Sequence, residues 1–158
     1  MLPQIIMLFE STLMTNPNPY NLTRFLSVQN PVYDTVLSEL RQGEKRTHWM
    51  WFIFPQIIGL GHSSISHHFA IKSVAEARAY LRHPILGKRL TECAEILMGI
   101  ERKSAHQVFG FPDNLKLRSC MTLFAGVSGP GSVFEQVLEK YFKGEQCPST
   151  RAFLDQDE

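Results

Sequence analysis

Apolar residues recur along this chain at helical spacing, separated by short polar breaks. Leu22, Phe25 and Leu26 share one face of a segment that Asn21 is placed to cap. Asn30-Pro31 has the form of an N-cap followed by proline at the first helical position. Tyr33, Val36, Leu37 and Leu40 then make an i, i+3, i+4, i+7 stripe, and Gly43 is placed to end it. Ser73 and Glu76 have capping-box spacing, with Val74, Ala77 and Leu81 following on one face. His83-Pro84 breaks the chain and starts another helix, lined on its buried side by Leu86, Leu90, Cys93 and Leu97. Ser104 opens a short turn that stops at Gly110 and Pro112, and the next stripe is Leu117, Met121 and Phe124, ending near Gly126. Ser132 caps the last clear helix, with Phe134, Val137, Leu138, Tyr141 and Phe142 inward and Gly144 after it.

The segment His48-Trp49-Met50-Trp51-Phe52-Ile53-Phe54 is a nearly continuous apolar run, and periodicity does not distinguish a buried strand from a buried helix there. A lone strand would leave its backbone groups unpaired, and no other segment reads as its partner. The run is therefore expected to be a short buried helix stopped by Pro55, with a small two-stranded element as the alternative. The pattern as a whole predicts an all-α fold, a single compact multi-helix domain of about seven or eight short helices. Leu37, Leu40, Leu90, Leu97, Met121, Phe124, Phe134 and Leu138 are expected in its core. The organisation expected is an N-terminal extension over 1–19, mobile or loosely docked, a helical domain over 20–145 and a C-terminal tail over 146–158.

A chain of 158 residues buries roughly 70% of the surface its unfolded form exposes, enough for a core without disulfides or a structural metal. With 44% hydrophobic and 20% charged residues, bulk disorder is excluded. Sixteen Lys and Arg against fifteen Asp and Glu leave +1, which argues against a general nucleic-acid binder while permitting a local basic patch. Cys93, Cys120 and Cys147 are odd in number and widely spaced, so neither a disulfide framework nor a zinc site is expected, and a cytoplasmic setting fits. Met1–Phe9 is apolar but lacks the basic start of a signal peptide. It is also too short to span a bilayer, which takes about 20 apolar residues. Met14 begins a polar, proline-rich stretch and is the expected natural start, with residues 1–13 a translated upstream extension; an ordered N-terminal element is the alternative.

Three segments are highly distinctive. They are Lys45-Arg46-Thr47-His48-Trp49-Met50-Trp51-Phe52-Ile53-Phe54-Pro55-Gln56 with Gly59-Leu60-Gly61, His83-Pro84-Ile85-Leu86-Gly87-Lys88-Arg89-Leu90, and the run from Phe109-Gly110-Phe111-Pro112-Asp113 to Phe124. In these, over roughly Tyr20 to Gly144, the chain resembles the bacterial family catalogued as domain of unknown function 1810. The resemblance implies an all-helical cytosolic domain and no established activity. Some members carry the label calpastatin; a calpastatin-like inhibitor is disordered and repetitive, whereas this chain is compact and aromatic.

The residues that could carry chemistry sit inside these segments. Lys45, Arg46 and His48 precede Trp49 and Trp51, and cations beside an indole suit the phosphate and the flat ring of a nucleotide-like ligand. The bland reading has both tryptophans in the core and both cations decorating a loop. Asp113, Lys116 and Ser119 form a second group, where a helix start favours an anion; alternatively Asp113 is simply a cap. Gly59-Leu60-Gly61-His62-Ser63-Ser64 could cradle a phosphate, but it is not a Walker loop, and an ordinary loop and cap is the better reading. The histidines fit no metal-ligand spacing, so no metal site and no cofactor are expected. His48 is the weak candidate for acid–base catalysis, because basic and aromatic neighbours can depress its pKa.

The expectation drawn from these features is an anion-accepting pocket. In it Lys45, Arg46, Trp49, Trp51, Asp113, Lys116 and Ser119 bind a phosphate-bearing or nucleotide-like small molecule and His48 carries a proton. Whether a reaction is catalysed stays open. A non-catalytic protein–protein interaction module is the alternative. Neither nucleic acid nor membrane is expected as a partner, and the oligomeric state is not legible.

Overall fold

The computed structural model describes residues 18–156, so the extension expected over 1–19 lies, up to residue 17, outside the described residues. Within them the chain is all-α, with ten helices rather than about seven or eight. These are α1 (Thr23–Gln29), α2 (Tyr33–Gln42), α3 (Met50–Ile53), α4 (Ser64–His68), α5 (Val74–Arg82), α6 (Leu86–Gly99), α7 (Ala105–Phe109), α8 (Asp113–Gly126), α9 (Val133–Phe142) and α10 (Pro148–Gln156). The excess comes from single-turn pieces such as α4 and from α10, each too short to show a full stripe. The aromatic run is helical at Met50–Ile53, followed by Phe54 and Pro55. The backbone pairing between Gln56–Ile58 and Ile71 amounts to one isolated parallel bridge.

Hydroxyl caps stand where the sequence puts them. Ser73, Ser104 and Ser132 each accept the backbone N–H three residues on, and Gln107 completes a capping box with Ser104. Two caps fall elsewhere. Asn21 has φ +50° and caps nothing; Asn18 Oδ1 accepts the Leu22 N–H at 2.8 Å instead. Asn30 closes α1, and α2 begins at Tyr33 after Val32, without a side-chain cap. The Glu76 carboxylate also leaves its box. It accepts the Lys72 N–H and pairs with buried Arg24, whose guanidinium donates further to the Tyr20 and Ala70 carbonyls. A buried charge needs this full set of partners.

Helix α8 is the centre of the packing. Leu117, Cys120, Met121, Leu123 and Phe124 are all fully buried, because α5, α7, α9 and α10 all pack against α8. Helix α6 bridges α2, α5 and α9 on the other side of the core. Leu40, Leu90, Leu97, Met121, Phe124, Phe134 and Leu138 are core; Leu37 is half-buried and packs on its edge. The segment read as a tail over 146–158 carries α10, which docks on α8 through buried Thr150 and Leu154. Its brief apolar pattern concealed this: one turn of contact is enough once a neighbouring surface is already formed.

Candidate functional site

The site is built where the α2–α3 loop meets the first turn of α8. The loop is fastened from behind by Glu39, which is buried on α2. Its carboxylate accepts the Arg46 and Thr47 N–H groups at 2.7 and 3.0 Å, the Thr47 hydroxyl at 2.6 Å and the Trp49 indole N–H at 2.9 Å. Burial raises its pKa, but these donors outweigh burial and bring it down to about 2. The Lys45 N–H donates to the Val108 carbonyl at 2.8 Å, tying the same loop to α7. Local sequence explains little of this. The geometry follows from one carboxylate that must satisfy all its lone pairs inside the core.

So held, Lys45 meets Asp113. Its ammonium lies 2.9 Å from Asp113 Oδ2, while Lys116 reaches Oδ1 of the same carboxylate at 3.0 Å. The side chains are sheltered: Lys45 is 7% exposed, and Asp113 and Lys116 are each 19% exposed. Burial raises the Asp113 pKa; the hydrogen bonds and charges of Lys45 and Lys116 outweigh it and hold the carboxyl below its ordinary range. Each ammonium also lies over an indole, Lys45 5.1 Å from the Trp49 centroid and Lys116 4.0 Å from that of Trp51. These groups line a cleft of about 450 Å³, whose lining also includes the apolar side chains of Met50, Phe52, Ile65 and Phe69.

Lys45, His48, Trp49, Trp51, Asp113 and Lys116 thus line one cleft. Two of the residues singled out from sequence do not. Arg46 points to solvent and pairs with Glu44 at 3.0 Å, because its backbone, not its side chain, is what Glu39 holds. Ser119 is buried beneath α10, donating to the Leu115 carbonyl at 3.1 Å and facing Cys147 Sγ at 3.3 Å. On a helix covered from several sides, its position away from the Leu117 face is a second interface rather than a solvent face. The two tryptophans also differ. Trp49 is fully buried, packed edge-on against Phe109 and tilted against Phe54, and it presents almost no surface to the cleft. Trp51 is half-buried and is the indole that a ligand can meet.

Asp113 is the first residue of α8 and holds the two lysines instead of capping the helix, which has no side-chain cap. His48 stands exposed at the cleft rim. The Gly59–Ser66 loop is an ordinary cap: Ser63 Oγ accepts the Ser66 N–H at 3.1 Å, and the loop supplies Ile65 to the cleft. His83 is a junction residue whose Nδ1 accepts the Ile85 and Leu86 N–H groups. Among the described residues, no three His, Cys, Asp or Glu side chains gather as a metal site would require. No described helix is long and apolar enough to cross a membrane. Sequence reasoning missed Glu39 and the apolar wall, since Phe69 and Ile65 reach the cleft only through the fold.

No curated protein matches the chain. The fold is that of the conserved hypothetical protein Rv1873 from Mycobacterium tuberculosis, whose crystal structure at 1.38 Å superposes with a TM-score of 0.85. The two are 46% identical, over 87% of this chain and 98% of that one. The family described as "Protein of unknown function (DUF1810)" matches residues 19–154, and the chain belongs to that family.

Proposed function

We propose that the Lys45–Asp113–Lys116 cleft binds a small phosphate-bearing, nucleotide-like molecule. The observation that carries this reading is the sharing of one carboxylate by two sheltered ammonium groups beside a half-exposed indole. Asp113 neutralises one positive charge of the two, so the polar wall keeps one unit of excess positive charge for an anion. Each ammonium has three donors and gives one to Asp113, which leaves donors for phosphate oxygens. Glu39 lies behind the wall with its carboxylate already engaged by four donors. The apolar wall of Phe52, Ile65 and Phe69 with Trp51 suits a flat ring. His48 at the rim is the candidate proton carrier if the bound molecule reacts. The reading places the protein in the cytoplasm, where its three free thiols stay reduced.

The test is titration with adenosine 5′-monophosphate and with inorganic phosphate, followed by tryptophan fluorescence and thermal shift. Binding should quench or shift Trp51 emission, raise the melting temperature and weaken with added salt. Lys116→Ala should reduce affinity about tenfold without unfolding the chain. An unchanged melting temperature and unchanged emission with both probes would overturn the reading. The second reading, a non-catalytic interaction module, is favoured by one observation: Phe111, next to the site on the approach to α8, is 71% exposed.

A further inference from the structure

Two ammonium groups and one carboxylate leave the cleft with a single net positive charge. Lys45 and Lys116 approach the two oxygens of Asp113 at 2.9 and 3.0 Å, and the other lining residues are apolar or aromatic, apart from His48 at the rim. Arg46, the neighbouring cation in the chain, adds nothing, because it points to solvent and pairs with Glu44. Glu39 acts in the opposite direction. It stands behind the site, on the Trp49 indole, and its carboxylate is satisfied by N–H and O–H donors without a cation.

The donors open to an anion are limited in the same way. Helix α8 begins at Asp113, but its next backbone N–H groups are taken. Asn114 donates to the Gly110 carbonyl at 2.9 Å, and Leu115 and Lys116 donate to that of Pro112 at 3.0 and 3.2 Å. Anion contacts therefore fall to the two ammonium groups. Each gives one N–H to Asp113 and lies over an indole, which covers part of its remaining surface. A phosphomonoester brings three acceptor oxygens and about two negative charges near neutral pH. Its second charge would stand uncompensated beside Phe52, Ile65 and Phe69, next to a lysine that is only 7% exposed. A phosphodiester has one charge and two non-bridging oxygens, which matches both the charge and the donors present.

We propose that the cleft selects a singly charged phosphodiester over a phosphomonoester dianion. The proposal rests on the reading of the cleft as a phosphate-binding site and narrows the class of its ligand. Lys45 and Lys116 each meet one non-bridging oxygen. Asp113 sets the selectivity, since it holds both ammonium groups and cancels one of their two charges.

The experiment titrates the full chain with adenosine, adenosine 5′-monophosphate and the methyl ester of that monophosphate, by isothermal titration calorimetry at about pH 8. The three share base and ribose and carry, in that order, no charge, about two and one. The methyl ester should bind about tenfold tighter than the monophosphate, and adenosine should bind more weakly than the ester. Asp113→Asn gives the wall a second positive charge and should turn the preference toward the monophosphate, read on protein whose circular dichroism matches the parent. The comparison in the parent chain stands without this variant. An ester that binds no tighter than the monophosphate would overturn the proposal and leave the phosphate reading standing. So would a preference for the ester that is unmoved in the folded variant. Adenosine binding as tightly as the ester, or no binding by any of the three, would overturn the phosphate reading itself and this proposal with it.

Discussion

Lys45 and Asp113 close the α2–α3 loop onto the first turn of α8 through an ion pair of 2.9 Å, and Lys116 completes it from the far side of the same carboxylate. Removing the carboxylate leaves two sheltered ammonium groups facing each other. Asp113→Asn should therefore destabilise the fold by roughly 1–3 kcal/mol, read as a lower urea midpoint. It should also raise the affinity of the cleft for inorganic phosphate, since the excess positive charge of the wall increases.

Glu39 makes the larger prediction. Its pKa is about 2 in the folded chain against 4.5 for the free group, so the folded state favours the ionised form. The sign follows directly: its contribution is present above the unfolded pKa of 4.5 and is lost as pH falls toward 2. The difference corresponds to about 3 kcal/mol. Glu39→Gln should remove much of this at pH 7, because an amide NH₂ would face the N–H donors of Arg46, Thr47 and Trp49. Urea unfolding of parent and variant at several pH values between 7 and ~3 should show curves that converge as pH drops.

Leu90 and Leu138 lie in the core on α6 and α9, two helices that pack on each other. Truncating either to Ala should cost about 2–5 kcal/mol. A urea midpoint unchanged in both variants would mean that the faces of these helices are misassigned.

Gly87, in the first turn of α6, lets the backbone of α5 approach. A Cβ there would fall 1.9 Å from the Leu81 carbonyl oxygen, a backbone atom that no rotamer change can move. Gly87→Ala should destabilise by about 1–3 kcal/mol or more despite the better helix propensity of alanine, checked by thermal melting.

The chain's helices and much of its core were legible in the residues themselves. Stripes such as Leu86, Leu90, Cys93 and Leu97, and caps such as Ser73, Ser104 and Ser132, act within a few residues, so local spacing carries them. The cleft was legible only in part. Cations and indoles near one another in the chain suggested a pocket, but adjacency in sequence does not say which side chain turns inward. Arg46 turned to solvent because Glu39 holds its backbone, and Trp49 turned into the core while Trp51 stayed at the surface. Ser119 shows the limit most plainly. Its helical position reads as an outer face until α10, a helix with too short an apolar pattern to announce itself, covers it. Local periodicity determines which residues form a helix. Which of its faces are buried depends on how many neighbours surround it, and α8 acquired neighbours on several sides only when the whole chain packed.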